Sequence, residues 1–181
     1  MTIVPDDKDW TWVLERRCPE CGFDASSCAP ASVPRLLRAN AAAWVRVLGG
    51  PPGALRRRPV TGRWAPLEYA CHVRDVCTLC RRRLGLMLTE HDPLYPNWDQ
   101  DATAVEDAYL GQDPLTVAGQ LGLAAEDLAF AFEQVEGSQW GRPGRRSDGA
   151  VFTVASFARY MVHDPVHHLY NVTGQAAGTT A

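Results

Sequence analysis

Three histidines have the residue type and placement to hold a metal ion: His72 in the first half of the chain, and His163 with His167 near its end. The later pair lies in Tyr160-Met161-Val162-His163-Asp164-Pro165-Val166-His167-His168-Leu169. Residues four apart on a helix share one face, about one turn apart, so both imidazoles can reach the same ion. Neutral imidazole suits zinc, nickel, copper and iron, and three protein ligands leave a position for water or substrate. His72, on a separate amphipathic segment, is the candidate third ligand. The same spacing also fits hydrogen-bonded histidines in a helical core. Pro165 cannot donate a backbone hydrogen bond, so the sequence predicts a kink between His163 and His167. His168 projects about 100° away from His167 and follows Asp164 by four, which reads as a surface or supporting pair. Asp75, three residues after His72, either orients that imidazole or pairs with a nearby arginine.

Four helical segments must position these residues. Leu36, Leu37, Ala41, Trp44, Val45 and Leu48 recur at helical spacing over 33–48, and Gly49-Gly50-Pro51-Pro52-Gly53 ends the run. Pro66 is placed for the first turn of a second helix reaching about Glu90, on which His72, Val76, Leu79 and Arg83 share a face. Asp113-Pro114 reads as an N-cap followed by a first-turn proline, opening a third helix through Val135. A fourth runs from Phe152 to about Gly174. No strand pairs are evident, so the expected fold is all-α, a four-helix bundle (30–181) preceded by an irregular N-terminal extension (1–29).

Composition narrows the function classes. With 46% hydrophobic and 22% charged residues the 181-residue chain reads as one globular domain. A net charge of -3 gives no electrostatic reason to expect nucleic acid or an anionic membrane as partner. No apolar run approaches 18 residues and no signal-peptide pattern opens the chain, so a cytoplasmic protein is expected. In that setting the six cysteines read as thiols or metal ligands before disulfides. Cys18-Pro19-Glu20-Cys21-Gly22 has the shape of a zinc knuckle lacking two ligands, with Cys28, Cys77 and Cys80 as candidates. Packing is the plainer reading of Cys71, Cys77 and Cys80. The runs Arg56–Arg58 and Arg81–Arg83, with Arg142, Arg145 and Arg146, either gather into an anion-binding rim or are solvated faces.

The stretches Trp64-Ala65-Pro66-Leu67-Glu68-Tyr69-Ala70-Cys71-His72-Val73-Arg74-Asp75 and Asp148 to Val154, continuing to His163-Asp164-Pro165-Val166-His167-His168-Leu169, resemble the DinB/YfiT-like superfamily. The resemblance spans about residues 33–175. It implies a metal-dependent bundle, often a homodimer, with His72, His163 and His167 as ligands of a divalent ion such as zinc or nickel. Members of that group include thiol S-transferases and mycothiol-dependent maleylpyruvate isomerases. The expected function is therefore S-transfer or thiol-assisted isomerisation of a small molecule, using a low-molecular-weight thiol. Tyr160, Asp164 and His168 are the polar groups placed to orient substrate or move a proton. A metal-dependent hydrolase, or a non-catalytic metal-binding stress-response bundle, is the alternative.

Overall fold

The computed structural model describes residues 9–60 and 62–176. In chain order its helices are α1 (Val33–Leu48), α2 (Pro52–Leu55), α3 (Pro66–Thr89), α4 (Gln100–Glu106), α5 (Pro114–Glu133) and α6 (Val154–Thr173). Local chemistry sets their starts. Asp113 accepts a hydrogen bond from Thr116 N at 2.8 Å ahead of Pro114, and Thr153 accepts from Ser156 N at 3.1 Å. Asp99 caps α4 by accepting from Ala102 N at 2.8 Å. Gly174, at φ +70°, closes α6 in the left-handed conformation that glycine adopts without a Cβ clash.

The four long helices form a ring in which α5 packs against α1 and α3, and α6 also packs against both. α1 and α3 face each other across the ring and touch lightly. The first and third connections between long helices, 49–65 and 134–153, therefore cross a diagonal, which a tight turn cannot do. The core runs through Leu37, Trp44, Leu67, Leu84, Leu121, Leu128, Phe132, Phe157 and Met161. α5 is long and apolar enough to cross a bilayer on length and composition alone, and 44% of its apolar window is buried inside the bundle. Its outer face leaves Leu115, Leu123 and Phe130 exposed.

The all-α four-helix frame is as expected, and a small sheet is added to it. β1 (Leu94–Tyr95) pairs in parallel with β2 (Pro143–Arg146), which pairs antiparallel with β3 (Val151–Thr153). Segments of two to four residues are too short for alternation to register in the sequence. Their effect is to tie the loop after α3 to the one before α6. Gly144 lies so near α3 that an added Cβ would sit 2.6 Å from Met87 Cγ, so only glycine lets β2 approach there.

α6 continues as a helix through Pro165, and Asn40 Nδ2 on α1 donates to the Pro165 carbonyl at 2.9 Å in the core. The start of α3 is held by a buried carboxylate. Glu68 accepts from Ala65 N at 2.8 Å and from Arg58 Nε at 2.9 Å, with little of its side chain exposed. Removing one member of a buried pair strands the other's charge. Arg58→Met should cost about 3–5 kcal/mol, and Glu68→Gln, which keeps the acceptor for Ala65 N, about 1–2 kcal/mol. Urea unfolding of the two variants checks the order.

Candidate metal centre

One turn of α6 carries two i, i+4 pairs side by side, His163 with His167 and Asp164 with His168. Consecutive residues on a helix are about 100° apart, so the two pairs form neighbouring stripes that face different parts of the protein. The structure uses both. His163 and His167 turn to the N-terminal segment and form a group with Cys18 and Cys21, while Asp164 and His168 turn to α3 and form a group with His72. Within each group the candidate ligand atoms all lie within 4.8 Å of one another. The His72, His163 and His167 set expected from the sequence is thus divided between two clusters.

The Cys18–Cys21–His163–His167 group is buried at all four positions. Cys18 Sγ stands 3.6 Å from His167 Nδ1, and His167 Nε2 stands 3.7 Å from a Glu20 carboxylate oxygen. Burial, reinforced by the neighbouring His167, pushes the His163 imidazole down to about 4, so it is neutral near pH 7. Desolvation pushes the Cys21 thiol up, with Cys18 adding to the effect. Trp10 packs over both imidazoles, with ring centroids 5.5 Å from His163 and 5.1 Å from His167.

The His72–Asp164–His168 group is more open, with only His72 fully buried. His72 Nε2 approaches Asp164 at 3.3 Å and His168 Nε2 approaches it at 3.5 Å. Burial by itself raises the Asp164 carboxyl, but His168 and His72 outweigh it and hold the group well below the usual carboxylate range. Two aromatic rings fix the His72 imidazole. Trp98 stacks on it, nearly parallel at 4° and 5.3 Å, and Trp64 meets it edge-on at 5.2 Å. Trp98 is itself anchored by its Nε1 donating to Thr103 Oγ1 at 2.8 Å. The α3 start held by Glu68 is the one that presents Trp64 and His72.

Both groups border a cleft of about 860 Å³. Val76, Leu79 and Arg83 of the expected α3 face line it with His72, and Tyr160 and Arg146 line it as well. Arg146 donates to Asp148 at 2.8 Å and to Tyr160 Oη at 3.0 Å. Arg83 donates to the Pro96 carbonyl at 2.7 Å, and its guanidinium lies over the Tyr95 ring. Of the three arginine groups, then, only Arg83 and Arg146 face the cleft. Burial pushes the Tyr160 phenol up, so it keeps its proton at neutral pH. Asp75 pairs with Arg74 at 2.8 Å and accepts from Tyr109 Oη, the second of its two expected roles. Cys77 and Cys80 stay in the bundle core and give the knuckle no ligands. The contribution of Trp10 and Glu20 had no sequence signal, because nothing local links them to residues some 150 positions away.

A four-helix bundle that gathers imidazoles, carboxylate and cysteines at one end defines the class. Residues 35–171 match the family model of the DinB superfamily, and the chain belongs to that superfamily. Its fold is similar to that of YfiT from Bacillus subtilis, at a TM-score of 0.73 and 17% identity over 88% of this chain and 91% of that one. YfiT is described as a probable metal-dependent hydrolase with an unusual four-helix bundle topology. No curated protein matches the sequence.

All six cysteines are free, and Cys28 alone is not buried. Burial pushes the thiols of Cys71 and Cys80 up to about 12, and that of Cys77 higher. Native protein should therefore give one fast equivalent with Ellman's reagent at neutral pH, and six only after unfolding; a Cys28→Ser variant should give none.

Proposed function

We propose that the chain is a metal-dependent enzyme for a small molecule bearing an anionic group, with His72, Asp164 and His168 holding a divalent ion. The observation that carries this reading is one cleft of about 860 Å³ lined by three metal-type ligands together with Arg83 and Arg146. The residues fit such an ion. Separations of 3.3 Å and 3.5 Å between Asp164 and its two histidines match the spacing of atoms sharing an ion at about 2.0–2.2 Å. Asp164 Oδ1 is buried with no hydrogen bond among the described residues, which leaves a lone pair to offer. In this proposal the resemblance's His-x3-His ligand pair moves one stripe round α6, to Asp164 and His168. Zinc and nickel both suit the donor set of two imidazoles and a carboxylate.

When bound, the ion supplies Lewis acidity that lowers the pKa of a thiol or water nucleophile. The protein does the rest. Trp98 and Trp64 hold the His72 ring in one orientation, and Asp164 lies between the two imidazoles. Arg83 and Arg146 bind a carboxylate, sulfonate or phosphate of the substrate through charge-assisted hydrogen bonds. Tyr160, protonated and steadied by Arg146, donates a hydrogen bond to an oxygen where negative charge develops. The cleft is large enough for a low-molecular-weight thiol together with its acceptor. S-transfer, or thiol-assisted isomerisation, is accordingly the first reading. Hydrolysis, with water as nucleophile, is the second, and the fold's similarity to YfiT favours it.

Zinc- or nickel-loaded protein should be assayed on activated esters and carbon electrophiles bearing a carboxylate, with mycothiol, glutathione, cysteine or no thiol. Turnover that requires a thiol supports transfer, and turnover without one supports hydrolysis. A loaded enzyme inert throughout the panel would count against both and favour a metal-binding bundle. His168→Ala should lower kcat/KM by at least about 100-fold. Arg146→Ala should raise KM about tenfold, with a much smaller change in kcat.

A further inference from the structure

The geometry points to a second, structural metal site: Cys18, Cys21, His163 and His167 hold a zinc ion that clamps residues 9–29 onto α6 and completes one wall of the cleft. Four observations converge on it. First, the spacing is right. Thiolate and imidazole on one tetrahedral zinc stand about 3.5 Å apart, and Cys18 Sγ lies 3.6 Å from His167 Nδ1. Second, the local turn is that of a knuckle. Gly22 N donates to the Cys18 carbonyl at 3.0 Å, Cys18 N donates to the Phe23 carbonyl at 2.8 Å, and Gly22 takes φ +74° to allow it. Third, the ligands have the support such sites use. Glu20, between the two cysteines, faces the far nitrogen of His167 at 3.7 Å, the carboxylate–histidine–metal arrangement that fixes a ligand's tautomer. His163 Nε2 is buried without a hydrogen-bond partner among the described residues.

The fourth observation concerns what holds the segment down. Between Asp9 and Ala29 the one regular element is a four-residue turn of 3-10 helix, Thr11–Leu14, and the buried apolar residues besides the cysteines are Val13 and Ala25. So small an apolar contribution is the setting in which a metal substitutes for a core. Binding exchanges two S–H protons, released to solvent, for two S–Zn bonds, and the paired thiolates cancel the ion's charge inside the protein. Four protein ligands leave no open position, so the site is structural. Its consequence lies next door. Asp9, Trp10, Thr11 and Glu20 line the cleft, and the clamp keeps them there.

The site stands independently of the open cluster and is tested apart from it. Full-length protein without a histidine tag is loaded with cobalt(II) in place of zinc. A thiolate-to-cobalt charge-transfer band with tetrahedral d–d absorption is expected in the wild type and in His168→Ala. Absence of that band from the wild type would overturn the site. Zinc content by elemental analysis should fall by one equivalent per chain in Cys18→Ser/Cys21→Ser and in His167→Ala, and unchanged content in both would also overturn it. Limited proteolysis of the cysteine double variant should cut within residues 9–29 at least about tenfold faster than wild type while the bundle persists. Equal cleavage rates would refute the clamp.

Discussion

One turn of α6 governs the whole site, because it puts four ligand-type side chains on two adjacent stripes of the same helix. An α-helix advances about 100° per residue, so His163/His167 and Asp164/His168 cannot face one ion together. They must be served by two different neighbours. The bundle supplies one from α3, through His72, and the N-terminal segment supplies the other, through Cys18 and Cys21. The shared turn also fixes where the two clusters lie relative to each other. Whatever fixes the rotation of α6, including the Asn40 hydrogen bond to the Pro165 carbonyl, sets both at once.

The two clusters differ in character for electrostatic reasons. Two cysteines and two histidines, all buried, suit a cation whose charge is cancelled within the site. The other cluster offers one carboxylate and two imidazoles beside a cleft, so a divalent ion there would keep net positive charge where a nucleophile can approach. Arg83 and Arg146 place guanidinium groups on the same cleft, and Trp98 and Trp64 restrict the geometry at its His72 end. The diagonal connections of the bundle are part of the same design. The short sheet ties the loop after α3, which carries Trp98, to the diagonal connection before α6, which carries Arg146, and both residues line the cleft with the histidines.

Much of the frame was legible from residue order. The boundaries of α1, α3, α5 and α6 follow from helical periodicity together with Gly49, Pro66, Asp113-Pro114 and Gly174, each of which acts within a few residues of itself. The face shared by His72, Val76, Leu79 and Arg83 follows from the same periodicity. The short strands were not legible, because two to four residues carry too little alternation, and neither was the choice between anion-binding rim and solvated face for each arginine run. The His-x3-His face meets Cys18 and Cys21, while His72 lies with Asp164 and His168. Spacing alone identifies two residues that share a face, not the element that the face meets.

The sequence by itself determined the helices, the family's motif and the stock of ligand-type residues, since these depend on local spacing and capping chemistry. Only the tertiary structure decided which ligands assemble. His72 and Asp164 are 92 positions apart, and Cys18 and His167 are 149 apart. Their meeting is fixed by how α6 is rotated between α1 and α3 and by where residues 9–29 lie against it. That rotation follows from burying Phe157, Ala158, Met161 and Val162 in the bundle, a packing constraint summed over many distant contacts that no local window of sequence contains.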